Sequence, residues 1–477
     1  MKTFGQFFIG RKKELEFLDE RYMASGGQLV IIYGRRRIGK TETIKHFCVD
    51  KQAVFFTCTL TDDKKQLRNF SSVVLQTGMP AGQYITEFQT WEQAFLALRD
   101  IPSTDGKKRI VVIDEFPYMV RENREIQSVM QKTWDTVLKS EDVMIILCGS
   151  AMSYMENEVL SEKNPLYGRA TGIWKMQPMS YVDSAGFVPS YSEHDKVIVH
   201  SVSGGIPYYL SNFDDSCSLA DNICNSVLKK GSVLYSEPEF LLRQELREPA
   251  TYNTVIQAIA YGKTSFNEIQ QATQIEKGKL SVYLKNLIEL GVVSREFPIH
   301  SSMTSVQNSQ RGFYKVRDLF FRFWYKFVFP NISALEFGDY RSVWTNLVES
   351  QLDAFVSFPF EDICIEWMRR QNSLGNLPFM VTQIGRWWSG DVEVDIVAMN
   401  GELSAVISGE CKFRKSVCNS GDLRRHISKN LEKLKLKEGA VIYYYFFSFS
   451  GFSPDAEQFA EEKGITLVTG HDLFTVI

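Results

Sequence analysis

The sequence predicts a multidomain α/β chain: a three-layer parallel-sheet domain first, a helical middle, and a second α/β domain at the end. Three observations predict this. Between residues 28 and 180 the apolar runs QLVIIYG, AVFFTC, RIVVIDE, VMIILCG and GIWKMQP alternate with amphipathic stretches such as Trp91–Arg99. The runs are short, β-branched and nearly continuous, as strands buried on both faces must be, and the alternation is that of a three-layer α/β fold. From about residue 346 a second pattern appears: helix, strand, strand, strand, helix, strand, helix, strand. The length of 477 residues suffices for about three domains at roughly 150 residues each, every one able to bury a core.

Composition narrows the function classes. The formal net charge is −3, which excludes a polycation, so any nucleic-acid contact must use a local basic patch. The eight cysteines are scattered, none forms Cys-x-x-Cys, and no Cys/His group has zinc-ligand spacing. They read as reduced thiols of a cytosolic protein. The N-terminus has no apolar stretch with a cleavage site, and no apolar run reaches the ~18 residues of a membrane span. A cytoplasmic protein with no membrane partner is expected.

The first domain carries the strongest motif. Gly34-Arg35-Arg36-Arg37-Ile38-Gly39-Lys40-Thr41 fits G-x-x-x-x-G-K-[ST]. It follows the strand Val30–Tyr33 and opens a helix at Glu42, itself counted among the nucleotide-binding residues, the context such a phosphate loop requires. The glycines let backbone N–H groups wrap phosphates, and the helix N-terminus adds positive potential. Lys40 is expected on the β- and γ-phosphates of ATP and the Thr41 hydroxyl on Mg2+. Arg35, Arg36 and Arg37 lie inside the loop and hold phosphate or a neighbouring acidic group, or are merely solvated. The run Val111–Glu115 delivers Asp114 to the magnesium shell and Glu115 to polarise the attacking water. Adjacent Asp and Glu argue for hydrolysis rather than binding alone. The strand ending in Gly149-Ser150 is expected beside the phosphate-loop strand, with Ser150 as a γ-phosphate sensor or simply a strand terminator. Arg169 is a candidate arginine finger, or a surface residue.

Two further segments carry a family resemblance. Phe8-Ile9-Gly10-Arg11-Lys-Lys-Glu14-Leu15 resembles the nucleotide-base box of AAA-type ATPases, and Gly204-Gly-Ile-Pro207-Tyr-Tyr-Leu resembles the G-x-P lid turn of STAND ATPases. Together with the C-terminal pattern they resemble an archaeal and bacterial P-loop ATPase family related to STAND and origin-recognition ATPases. The resemblance implies that Ile9 and Gly10 flank the adenine and that Pro207 closes over it.

The middle reads as a winged helix. Residues 249–290 alternate helix and turn, with Ser265 and Glu268 forming a capping box. The third helix, about Gly278–Leu290, is expected to turn Leu280, Leu284, Leu287, Ile288 and Leu290 inward and Lys277, Lys279, Ser281, Lys285 and Asn286 outward. A strand starts at Val292, and the polar loop Ser301–Arg311 reads as a wing. From Arg247 to Arg317 there are nine Lys/Arg and five Asp/Glu, 9 − 5 = +4, a mild local excess of the kind DNA contact needs. Within the resembled superfamily such modules also serve for docking or dimerisation.

In the last domain, Asp391-Val-Glu393-Val-Asp395-Ile-Val-Ala alternates strictly, with Val392, Val394 and Ile396 on the buried face. Glu410 and Lys412 share a face of the next strand. Glu361, or less readily Glu366, projects from a preceding helix. These are the parts of metal-dependent phosphodiester cleavage: Asp395 and Glu410 on a second Mg2+ or Mn2+, Lys412 activating water, Glu361 completing the shell. The arrangement resembles the PD-(D/E)xK nuclease fold, and Arg386-Trp387-Trp388 fits it. Asn400-Gly401 suggests a two-residue turn, which would set Asp395 opposite Val406. Aligning the acids requires a wider loop centred near Glu402 and Leu403.

The expected organisation is an ATPase core over 1–180, a helical lid over 181–245, a winged helix over 246–318, an aromatic linker over 319–345 and a nuclease-like domain over 346–477. The leading function is an ATPase coupling nucleotide state to DNA binding and cleavage. The alternative is a STAND-like switch that oligomerises on ATP or meets a protein partner, its last domain a passive reader. A third is a nucleotide-dependent interaction protein without DNA contact.

Overall fold

A computed structural model describes residues 8–103, 106–162, 164–299 and 312–475. The expected wing, Ser301–Arg311, lies outside the described residues. The chain divides into two compact units. One comprises residues 2–179 with 206–208; the other comprises 180–205 and 209–477.

The first unit is built on five parallel strands: β1 (Gln28–Tyr33), β2 (Ala53–Thr57), β3 (Arg109–Asp114), β4 (Val143–Gly149) and β5 (Gly172–Lys175), in the order β2-β3-β4-β1-β5. Because side chains alternate along a strand, each central strand feeds two cores. Leu29, Ile31, Val111, Ile113, Ile145 and Leu147 join one core. Val30, Ile32, Ile110, Val112, Met144 and Ile146 join the other. Helices cover both faces, the three-layer arrangement expected. Tyr33 of β1 pairs with Gly149 of β4, so the phosphate loop and Ser150 leave the sheet at the same edge.

The second unit begins with helices, including Glu193–Ser203, and continues with Pro249–Ala260, Phe266–Thr273 and Lys277–Glu289. The capping box of Ser265 and Glu268 forms as expected. Leu280, Leu284 and Leu287 are buried, but Ile288 is 39% exposed and Leu290 is only half-buried. The expected inward placement of Ile288 and Leu290 is therefore corrected: the helix buries one narrow stripe, and residue 288 falls outside it. Asn286 is not free in solvent either; its side-chain amide donates to the Tyr252 hydroxyl at 2.6 Å. Strands β6 (Val293–Glu296) and β7 (Phe313–Val316) then pair antiparallel.

The aromatic block is a core rather than a linker. Phe320, Phe321, Phe323, Trp324, Tyr325 and Phe327 are at most 2% exposed, and Trp324 Nε1 donates to Tyr235 O at 2.6 Å. Burying so many rings is worth several times the ~1.5–3 kcal/mol of one large apolar side chain. That ties 319–329 to the helices before it.

The long helix Leu352–Leu374 contains Pro359. A proline there removes the bond to the carbonyl four residues earlier. That carbonyl, of Phe355, instead accepts from Arg322 Nη1 at 2.9 Å. Strands β8 (Gln383–Ser389), β9 (Val392–Met399), β10 (Ala405–Lys412), β11 (Val441–Ser448) and β12 (Ile465–Thr469) form a second sheet in the order β12-β11-β10-β9-β8. The first three run antiparallel; β10, β11 and β12 are parallel, joined by helices Ser420–Ile427 and Pro454–Lys463. From residue 352 to β12 the order of helices and strands is the one the sequence predicts; a short helix, Gly470–Phe474, follows that the sequence does not predict.

Candidate functional sites

The phosphate loop runs from β1 into the helix Lys40–Phe47. A Cβ at Gly34 would stand 2.8 Å from Met176 O, and Gly39 has φ +88, so neither position accepts a larger residue without strain. Lys40 Nζ donates to the loop carbonyls of Gly34 at 2.9 Å and Arg35 at 3.0 Å. Burial lowers the pKa of its ammonium. Thr41 Oγ1 donates to Asp114 Oδ2 at 2.8 Å. A hydroxyl and a carboxylate oxygen therefore share one position at the loop mouth, a donor pair suited to a hard divalent cation.

Glu115 follows in the left-handed region at φ 52, an uncommon conformation for a side-chain-bearing residue and one typical of functional positions. Ser150 Oγ lies 2.9 and 2.8 Å from the two carboxylate oxygens of Glu115. Ser150 therefore orients the acid that faces the phosphate site. Arg36 Nη2 donates to the Tyr118 hydroxyl at 2.8 Å, and the Arg37 guanidinium lies 4.5 Å from the centre of the Tyr208 ring. Pro207 packs on the loop: a Cβ on Gly39 would meet its Cγ at 3.5 Å.

Two expected residues stand elsewhere. Glu42 pairs with Lys45 at 3.3 Å on an exposed face, so only its backbone belongs to the loop. Arg169 pairs with Asp135 at 3.1 Å. Thr171, two residues on, donates its N–H to Leu29 O at the start of β1. Arg169 thus sits by the end of the sheet opposite the phosphate loop, and the finger role at its own chain's site is corrected accordingly.

The second site lies on β9 and β10. The pairs Val406↔Met399 and Gly409↔Ile396 continue to set Asp395 across from Glu410. The wide loop this requires is present: Asn400 Oδ1 accepts from Ser404 N at 3.0 Å and Ala405 N at 3.3 Å, and Leu403 turns at φ 57. Glu410 and Lys412 share a face, with Lys412 Nζ 2.5 Å from Glu410 Oε1. Lys429 Nζ takes Oε2 at 2.5 Å, and His426 Nδ1 stands 3.4 Å from it. Asp395 Oδ2 accepts from Cys411 N at 2.8 Å. Burial by itself would raise Glu410; the contacts of His426, Lys412 and Lys429 reverse that and hold it well below the usual carboxylate range. Burial, then the negative charge of Glu410, push Asp395 up.

Glu361 does not join these acids. Arg386 Nε holds it at 2.5 Å while the same guanidinium pairs with Glu296 and Asp362, each at 2.9 Å. Burial, with Asp395 and Asp362 nearby, pushes Glu361 up to about 7 despite Arg386. Glu366 is pushed to about 7 by burial as well. Among the described residues no three His, Cys, Asp or Glu side chains converge to hold a metal ion. The expected Asp395–Glu410–Glu361 metal shell is therefore corrected: Lys412 and Lys429 hold Glu410 and Arg386 holds Glu361.

Comparison with known proteins places the chain. Residues 8–213 match an ATPase domain predominantly from Archaea. Residues 324–431 match a family described as archaeal and bacterial proteins of unknown function. The uncharacterized protein MJECL04 of Methanocaldococcus jannaschii is 32% identical over 407 residues, 85% of this chain and 88% of that one. The chain belongs to this archaeal P-loop ATPase family. Among solved structures, the Walker-type ATPase PABY2304 of Pyrococcus abyssi aligns at 19% identity and TM-score 0.48, covering 67% of this chain and 96% of that one. The Aeropyrum pernix ORC2 protein aligns at 15% and 0.42, covering 70% and 97%. Among the described residues no helix is long and apolar enough to cross a membrane.

In this P-loop ATPase several site residues escape sequence reasoning. Arg11 is buried, at φ 62, and donates to Ile38 O of the phosphate loop at 2.7 Å and to Gln177 O at 2.8 Å. Its place right after Ile9 and Gly10 was the available signal. Tyr118 and Tyr208 brace loop arginines, and Lys429 and His426 complete the second site. Tyr208 stands in the segment Gly204–Leu210, where its neighbour Pro207 drew the attention, and the other three belong to no short motif.

Proposed function

We propose that the chain is an ATP-hydrolysing switch that couples its nucleotide state to DNA contact. The observation that carries this is the linked set Thr41–Asp114 and Glu115–Ser150 at one sheet edge. In this reading Thr41 and Asp114 would hold Mg2+, which would supply positive charge against the phosphates. Lys40 leaves the loop carbonyls for the β- and γ-phosphates, and Glu115, held by Ser150, accepts the proton of the attacking water. Ile9 and Gly10 border the adenine side. Pro207, seated on Gly39, follows the state of the loop.

The DNA half rests on two features of the C-terminal unit. The three helices and hairpin of 249–316 have the element order of a winged helix. The sheet β8–β12 has the order of a PD-(D/E)xK domain, with Asp395, Glu410 and Lys412 in register. Because Lys412 and Lys429 occupy Glu410 and Arg386 occupies Glu361, we take this domain as a DNA-binding module in the form described. A second reading, metal-dependent cleavage, is favoured by the register of Asp395 and Glu410 alone. The test is plasmid DNA with Mg2+ or Mn2+, with and without ATP, for wild type and Lys412→Ala. Plasmid retained in a complex but uncut, with ATP hydrolysis intact, supports the binding module. Cutting by wild type that disappears in Lys412→Ala makes the domain a nuclease. Neither binding nor cutting removes DNA from the proposal.

A further inference from the structure

Residues 412–437 carry nine lysines and arginines against Asp422 and Glu432, 9 − 2 = +7, in a chain of net charge −3. The end of this segment is a strap with two sides. Leu431 and Leu434 are buried, and Leu436 packs with them against the core of Trp387, Val394, Met399 and Val406. Lys433 and Lys435 between these anchors, and Lys437 just past the last, are exposed. The backbone is pinned as well: Lys437 N donates to Leu403 O at 3.1 Å. At its inner end Lys429 Nζ bonds Glu393 O at 2.6 Å and Glu410 at 2.5 Å.

The leucines fix the strap, so the lysines do not disperse. Lys433, Lys435 and Lys437 form no ion pair among the described residues, and their like charge attracts a polyanion. The other basic candidate compares poorly. The helix Lys277–Glu289 exposes Val282 and Ile288 among its lysines, and its Lys285 is already paired with Glu289.

We propose that the strap 429–437 is the chain's principal DNA surface, engaging duplex phosphates without reading sequence. It rests on the reading that the C-terminal unit meets DNA. Lysines are flexible point charges rather than bidentate forks, so they position a backbone and read no bases. The strap leads the backbone toward Lys429, Lys412 and Glu410.

The experiment is duplex binding by the full chain, followed by fluorescence anisotropy over a range of salt. Wild type is compared with Lys433→Ala/Lys435→Ala/Lys437→Ala and with Lys277→Ala/Lys279→Ala. Each lost phosphate contact flattens log K against log salt by about 0.9. The strap variant should therefore lose about 2.7 in slope, equally on unrelated sequences, while ATP hydrolysis stays at the wild-type level. Should the alanine set melt early, the lysine-to-methionine set at the same positions, which keeps the stems, must give the same loss. An unchanged slope in the strap variant, or the loss appearing in the helix variant instead, overturns the strap and leaves DNA binding standing. No salt-dependent binding by wild type overturns both. Binding to anionic lipid vesicles through the same lysines, as tight as to duplex, overturns DNA in favour of a membrane surface.

Discussion

The two acid clusters of this chain are held in opposite ways. At the phosphate loop, Asp114 and Glu115 are bonded by neutral hydroxyls, those of Thr41 and Ser150. On β10, Glu410 is held by two ammonium groups and a histidine. Hydroxyls orient a carboxylate and leave its charge in place. Lysines neutralise it, so at the second a ligand must displace a partner before it meets the acid. Burial costs both clusters solvation, but only the second has repaid that cost internally. The lesson is that equal numbers of acids on equally buried strands do not make equal sites; the charge of their nearest partners decides.

The sharpest way to break this contrast is Glu115→Gln. If the phosphate-side acid is the base, hydrolysis should fall roughly 10²–10⁴-fold while ATP binding persists. Steady-state phosphate release and equilibrium nucleotide binding measure the two separately. Hydrolysis within a few-fold of wild type would remove Glu115 from the mechanism and, with it, the difference drawn between the clusters.

Next in size is a pH effect confined to the C-terminal unit. Glu366 is pushed to about 7 by burial from an ordinary value near 4.5. Between those values the folded chain keeps a proton that the unfolded chain has lost, so stability falls as pH rises through the interval. At 1.36 kcal/mol per unit the loss from Glu366 is about 3 kcal/mol at most, and Glu361, raised to about 7 as well, adds to it in the same direction. Thermal denaturation at pH 5 and pH 8 should show the decrease, and Glu366→Gln should reduce it. The same slope in the variant would mean that Glu366 is ionised when folded.

A third test probes the lysine clamp. Lys429→Met removes one ammonium from Glu410, so Mn2+, titrated calorimetrically without nucleotide, should bind about tenfold tighter, corresponding to one charge-assisted contact. Unchanged or weaker binding would show that Lys429 does not compete for the carboxylate.

Much of this organisation is legible in the sequence, for reasons that differ by element. The central strands β1, β3 and β4 declare themselves because burial on both faces leaves continuous apolar runs, whereas the edge strands β2 and β5 alternate more and less buried positions instead of being buried on both faces as expected. The phosphate loop does so because its chemistry is local: one strand, one loop and one helix supply it. The loop after β9 shows where local cues mislead. Asn400-Gly401 looks like a two-residue turn, yet the Asn400 side chain caps Ser404 and Ala405, and Leu403 takes the left-handed position. The cationic partners were hidden because they are remote. Lys429 lies 19 residues from Glu410, and Arg386 lies 25 from Glu361. No periodicity links such pairs; only the sheet and its covering helices do. The aromatic block misled in another way: its rings read as a connector until Tyr235 and Phe355 are seen to pack with it.

The smallest expected effect concerns Arg169, and its smallness is informative. Its ion pair with Asp135 is partly exposed, at 33% and 43% for the two side chains, and such pairs contribute about 0–1 kcal/mol. The pair stands by the strand ends opposite the phosphate loop. Arg169→Ala should therefore change hydrolysis by the dilute chain less than about twofold and lower stability by no more than about 1 kcal/mol. Both are checked in one preparation by turnover and thermal melting. Turnover per chain should also be the same at low and high protein concentration. If instead wild type turns over faster as it is concentrated and Arg169→Ala does not, the arginine reaches the phosphate site of a second copy. The phosphate cluster would then resemble the one on β10 after all, each completed by a cation from outside its own strands.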